Sequence, residues 1–191
     1  MKISDFFPET YSSFKENEYK FFRDAAGREL TLIDIPGAER LRKRLLHKYL
    51  SERRSIRGII FVIDSSTFGR KSRDVAELLY DVLYESRKCV PSLVTCNKQD
   101  SSLAKSSRVI HITLEHEFGL INGTREAALD STDGDMKKRV LTATGKDFQW
   151  NDLMTTKIDF IECCAIKGFN GGEDGGRKTG LSSVRDWIDS L

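Results

Sequence analysis

An α/β fold built on a mostly parallel sheet is what three features of the sequence predict. Short β-prone runs alternate with stretches of helical apolar spacing along most of the chain. Gly58-Ile-Ile-Phe-Val-Ile-Asp64 is apolar on both faces, as a central parallel strand covered by helices on each side would be. The 191 residues, 39% hydrophobic and 31% charged, suit one domain with a single core and a soluble surface.

Each element follows from its local pattern. Glu18–Arg23 and Glu29–Asp34 are β-prone runs on either side of Asp24-Ala-Ala-Gly27, which reads as a hairpin. Ala38–Ser55 places Leu41, Leu45, Leu46, Tyr49 and Leu50 at helical spacing. After the Gly58–Asp64 strand, a helix over 72–86 gathers Val75, Leu78, Leu79, Val82 and Leu83 on one side. Pro91–Cys96 is a second buried strand, and a polar helix is predicted over 103–118. Gly119–Thr156 lacks clear periodicity and is rich in Gly, Thr, Asp and Lys, so it reads as an irregular insert. Lys157–Cys163 returns to strand character. The glycine-rich stretch over 168–180 reads as a link. A short helix through Leu181, Val184, Trp187, Ile188 and Leu191 closes the chain.

Composition excludes several classes. The 31 Lys and Arg nearly balance 29 Asp and Glu, and a net charge of +2 gives no global footprint for nucleic acid. No window approaches the roughly 18 consecutive apolar residues of a membrane span. The first residues, Met1-Lys2-Ile3-Ser4-Asp5, carry an acid early and no apolar core, unlike a secretory signal. Cys89, Cys96, Cys163 and Cys164 form no C-x-x-C pair, and the adjacent Cys163 and Cys164 lie in an apolar run. Reduced structural thiols are expected, rather than a disulfide scaffold or zinc ribbon.

Ligands of open α/β sheets bind at the carboxyl ends of the strands. One such end reads Asp34-Ile-Pro-Gly37, where a carboxylate can hold a metal-bound water and a glycine N–H can face a phosphate oxygen. Another reads Asn97-Lys-Gln-Asp100. Its Asp carboxylate can accept from guanine N1–H and the exocyclic amine while the Lys stem covers the ring. The last strand ends in Glu162-Cys-Cys-Ala165, where backbone N–H groups could meet guanine O6. Each motif alone is weak. In this order, each at a strand end, they point to guanine-nucleotide binding.

The chain resembles the family of signal recognition particle receptor β subunits, small GTPases related to the ADP-ribosylation factors. The resemblance runs from about Tyr19 to Leu191. It is carried by Leu30–Gly37, Leu41-Arg42 with Leu45-Leu46, Phe61–Asp64, Asp74–Tyr80 and Cys96–Asp100. Most specific is Gly145-Lys-Asp-Phe-Gln-Trp-Asn-Asp-Leu153 leading into Phe160-Ile-Glu-Cys163. The resemblance implies a phosphate-loop NTPase-like sheet with helices on both faces and GTP with Mg²⁺ as ligand. Guanine would be held by Asn97, Lys98, Asp100, Cys164 and Ala165, with Asp34 and Gly37 near the phosphates and Mg²⁺. It further implies a regulatory subunit on the cytosolic face of the endoplasmic reticulum membrane. The nucleotide-loaded form would bind the N-terminal domain of the receptor α subunit, and through it serve ribosomes and the translocon. A nucleotide-independent scaffold is the alternative.

The sequence departs from that pattern in three places. First, no G-x-x-x-x-G-K-[ST] loop occurs: Gly145-Lys146 is followed by Asp147, and the position of the first glycine is Val140. The chain begins where the family's first switch would lie, with Thr10, Ser12 and Ser13 as magnesium-contacting candidates. Membrane helix, first strand, phosphate loop and first helix are then missing, as in a truncated isoform, an alternative start or an incomplete gene model. In the family that strand lies between the two strands ending at Asp34 and Asp64, whose facing edges should here be unpaired. Second, Ala38 stands where a water-orienting Gln or His belongs, so turnover should be weak or nil. Third, Cys164-Ala165-Ile166 replaces Ser-Ala-Lys, which keeps backbone contacts to the base and loses the Lys side chain.

Other constellations read as structural. Arg40–Arg57 holds eight basic residues with Glu52 as the sole acid, a solvated helix face. Gly171–Thr179 imitates a phosphate loop with wrong spacing. His111 and His116 are five apart and point to different sides of a helix. Asn122-Gly-Thr124 is a glycosylation sequon expected to go unused.

Overall fold

The computed structural model describes residues 15–23, 27, 29–51, 56–86, 90–130, 140–142, 144, 147–153, 156–166 and 181–191. The expected hairpin is present: β1 (Asn17–Arg23) pairs antiparallel with β2 (Glu29–Asp34). Gly27, in the connection, has φ +77°, a conformation open to glycine at no steric cost. β3 (Ile59–Asp64), β4 (Ser92–Asn97) and β5 (Ile158–Glu162) form a separate parallel sheet in the order β3-β4-β5. Its register pairs Asp64 with Asn97 and Cys96 with Glu162, so the three carboxyl ends lie side by side.

The position of β3 corrects one expectation. Its two-faced apolar pattern predicts a central strand, but among the described residues it pairs with β4 alone, and β4 is central. Val62 is 63% exposed. Among the described residues β2 and β3 do not pair. They still share a floor: Leu30 of β2 and Ile60 of β3 both pack on Leu93, Trp187 and Ile188. Trp187 and Ile188 belong to α4 (Ser182–Asp189), and Trp187 Nε1 donates to Asp159 at 2.8 Å. A Cβ on Gly58 would stand 2.7 Å from Leu191 and 2.8 Å from Trp187, so only glycine lets the start of β3 lie this close.

α1 (Glu39–Ser51) buries Leu45 and Leu50 and exposes Arg40, Arg44, His47 and Lys48, with Lys48 paired to Glu16 at 2.9 Å. α2 (Phe68–Glu85) contains the predicted helix, preceded by a turn set off at the non-helical Lys71. α3 (Ser107–Asp130) runs well past Phe118, so the first part of the supposed insert is helical. Gly119 and Gly123 weaken the helical signal there, yet Ile121 and Asn122 are buried and tertiary packing prevails.

The main core lies between α2, α3 and the sheet. Phe118 is fully buried, with ring centroids 5.3 Å from Tyr80, 5.3 Å from Phe148 and 5.0 Å from Trp150. The chain before β5, which includes a 3₁₀ turn at Trp150–Asp152, buries Leu141, Phe148 and Leu153 in this cluster. Trp150 donates its backbone N–H to Glu115 at 3.1 Å and its indole N–H to the His111 carbonyl at 3.2 Å. The His111 ring packs tilted against Trp150 and edge-on against Phe160, so His111 and Glu115 hold this segment in place. Asn122 accepts from the Tyr80 hydroxyl and donates to Thr142 at 2.8 Å, while Leu141 N–H donates to Tyr80 at 2.6 Å. The sequon asparagine is therefore a fully buried member of a satisfied polar network, with its amide already engaged.

Candidate functional site

The carboxyl ends of β4 and β5 bring five of the sequence candidates together. β4 stops at Asn97 because Lys98 turns into the left-handed region, φ +64°, a conformation costly for a residue with a Cβ. The turn is braced: Ser101 N–H donates to the Lys98 carbonyl at 3.0 Å, and Gln99 N–H to the Cys163 carbonyl at 3.2 Å. Gln99 Nε2 ties Cys96 and Lys105 carbonyls together at 3.3 and 3.0 Å. Glu162, the last residue of β5, accepts from Ser107 N–H at 2.7 Å and its hydroxyl at 2.9 Å, locking the strand end to the start of α3.

On this frame Asn97 Oδ1 accepts from the Ala165 N–H at 3.2 Å, and the Cys164 thiol donates to Asp100 Oδ1 at 3.1 Å. The Ala165 amide thus lies on Asn97, and Asp100 is exposed at the rim. A carboxylate has about four acceptor sites, so one thiol leaves Asp100 able to accept two further N–H groups. That is the complement of guanine's N1–H and exocyclic amine.

Cys96, Cys163 and Cys164 are structural thiols, and Cys89 lies outside the described residues. Burial pushes Cys96 up to about 12, with help from Glu162 and Cys163, and pushes Cys163 up to about 11. Burial, aided by the Asp100 bond, also raises Cys164. All three stay protonated at neutral pH, which keeps Cys164 a donor to Asp100.

The remaining candidates lie elsewhere. Asp34 ends β2 in the two-stranded sheet, exposed, and accepts from Asn17 at 3.2 Å. Gly37 follows, with Arg42 reaching its carbonyl at 3.5 Å. Ala38 accepts the first backbone bonds of α1 from Leu41 and Arg42 and has no polar side-chain atom for water. Thr10, Ser12, Ser13 and the glycine-rich 168–180 stretch lie outside the described residues.

One neighbour carried no motif signal. Asp64 ends β3 and bonds Lys98 Nζ at 2.8 Å, while Ser66 N–H and Oγ donate to its other oxygen at 3.0 and 2.6 Å. Partial burial pushes this carboxyl up, but the Lys98 and Ser66 bonds outweigh it and hold it well below the usual carboxylate range. Besides its place in the Phe61–Asp64 stretch that carries the resemblance, its position at a strand end, as with Asp34 and Asn97, is the sequence signal that could have marked it.

A family model described as the signal recognition particle receptor beta subunit matches residues 3–157. The mouse signal recognition particle receptor subunit beta is 42% identical over 164 residues, 84% of this chain and 57% of the mouse protein. The chain spans 57–59% of the length of the rodent relatives it matches. In "The Structure of the Mammalian SRP Receptor", a chain 31% identical aligns with a TM-score of 0.71, covering 96% of this chain and 86% of that one. The signal recognition particle receptor SRb-GDP-Mg from Chaetomium thermophilum aligns at 26% identity and a TM-score of 0.66, covering 83% of this chain and 78% of the other.

Proposed function

Because the chain belongs to the signal recognition particle receptor beta subunit family, we propose that it is a GTP-binding regulatory subunit of that receptor. In this reading it serves co-translational targeting on the cytosolic face of the endoplasmic reticulum. It does so by binding the N-terminal domain of the receptor α subunit in a nucleotide-dependent way, and through it ribosome and translocon. The observation that carries the reading is the meeting of Asn97, Asp100, Cys164 and Ala165 at two adjoining strand ends. Asp100 reads the base edge, Asn97 braces the Ala165 loop, and the Lys98 stem covers the ring.

The described residues fit the rest of the ligand only in part. Asp34 and Gly37 are of the right chemistry to meet a metal-bound water and a phosphate oxygen, and Mg²⁺ bound there would neutralise phosphate charge. The 191 residues contain no G-x-x-x-x-G-K-[ST] loop, so their own hold on GTP is mostly on the base. Losing several charge-assisted phosphate bonds, at ~1.5–3 kcal/mol each, leaves millimolar binding. Ala38 offers nothing to orient water, so hydrolysis is slow or nil.

The alternative reading is a scaffold that contacts the α subunit regardless of nucleotide. Pull-down of the α subunit's N-terminal domain, with millimolar GTP, GDP or no nucleotide, separates the two. Capture should be strongest with GTP. Equal capture in all three conditions would remove the regulatory reading and leave the scaffold.

A further inference from the structure

The third strand end supplies a residue that the base-site motifs do not contain. Asp64 is the register partner of Asn97, so its carboxylate stands beside the loop that carries Lys98 and Asp100. Both of its oxygens are committed. Ser66 clamps one through its backbone N–H and hydroxyl, and Lys98 Nζ lies 2.8 Å from the other. The turn holding Asp64 is itself tied to the base loop on two sides. Ser65 N–H donates to the Asn97 carbonyl at 3.1 Å, and Lys105 N–H donates to the Ser65 carbonyl at 3.0 Å.

Lys98 needs such a partner more than an ordinary surface lysine does. Its backbone is turned into the left-handed region, and its side chain is 56% exposed, so much of the stem lies in solvent. A free lysine stem samples many rotamers, and a purine stacking on it must freeze them. An ammonium fixed at the end of β3 stretches the stem from the β4 loop across to the neighbouring strand end before any base arrives. An exposed ion pair of this kind adds little to stability. Its effect lies in preorganisation.

We infer that Asp64 is a positioning residue for guanine: held by Ser66, it holds the Lys98 ammonium and so presets the stem that covers the base. The inference rests on the base-site reading given above and deepens it. Asp64→Asn is the informative change, because the amide oxygen can keep both Ser66 bonds while its NH₂ group turns a donor toward the ammonium.

The test titrates the 191-residue chain with guanosine and follows backbone amide shifts. Asp64→Asn should weaken guanosine binding about 3–10-fold, the scale of freezing one lysine side chain. It should leave the ratio of guanosine to adenosine affinity unchanged, since Asp100 reads the edge. In a Lys98→Met background, which keeps the stem and removes the ammonium, the same change should have no effect. Should Asp64→Asn fail to fold, Ser66→Ala frees one side of the carboxylate and must weaken guanosine in the same direction. If Asp100→Asn weakens guanosine while Asp64→Asn does not, Asp64 has no positioning role and the base site stands. An equal loss in the Lys98→Met background would also overturn the inference, because Asp64 would then act without Lys98. No saturable shifts with guanosine, or none altered by Asp100→Asn, would remove the base site and this inference with it.

Discussion

Replacing Asp100 with asparagine should exchange the base that the site prefers, from guanine to xanthine. Guanine offers two donors on the edge that faces Asp100, N1–H and the exocyclic amine, and a carboxylate accepts both. Asparagine offers one acceptor and one donor, which matches the N1–H and the 2-carbonyl of xanthine. The Cys164 thiol donates to Asp100 Oδ1 at 3.1 Å, which keeps the side chain aimed in the native chain. An amide can still accept that thiol through its own oxygen. A charge-assisted bond is worth ~1.5–3 kcal/mol, so guanosine affinity should fall roughly 10–100-fold while xanthosine gains. Competition between the two nucleosides, read by amide shifts, checks this. Unchanged preference would place the base somewhere other than Asp100.

The largest loss of stability should come from Phe118→Ala. Phe118 is fully buried and its ring touches Tyr80, Phe148 and Trp150, so it joins α2, α3 and the segment before β5. Truncating a buried phenylalanine costs about 3–5 kcal/mol, because the cavity cannot fully close. In a domain of this size that lowers the melting temperature by roughly 6–20 °C. Leu103→Ala, at a side chain 70% exposed, is the matched control and should stay within about 0.5 kcal/mol. A small Phe118 effect in thermal melts would mean that the segment before β5 docks on the helices less tightly than its ring contacts require.

The hairpin, the parallel strands and the site motifs were legible because each rests on short-range pattern: alternation, two-faced apolar runs, and polar residues at strand ends. Asn97, Lys98 and Asp100 could be placed beside Cys164 and Ala165 by fold resemblance before any coordinates. What failed depends on contacts distant in sequence. Gly119 and Gly123 suggest an irregular segment, but Asn122 reaches Tyr80 and Thr142, and that network carries α3 to Asp130. β3 reads as central from its composition, and whether a neighbour pairs with its outer edge is not written in its own residues. Asp64 was invisible as a site residue because its partner, Lys98, lies 34 positions away and only the parallel register brings the two together.

The one-sided pairing of β3 also sets how fast its amides exchange with solvent. Ile59 N–H donates to the Pro91 carbonyl and Ser65 N–H to the Asn97 carbonyl, which fixes the phase of the ladder between them. The amides of Phe61 and Ile63 therefore face β4, and those of Ile60, Val62 and Asp64 face the outer edge. Deuterium uptake along this strand should alternate residue by residue, slow at 61 and 63 and fast at 60 and 62. Any chain that adds itself as a further strand would slow the even positions alone. The strand thus carries its own reporter of edge pairing, readable at single residues without a label.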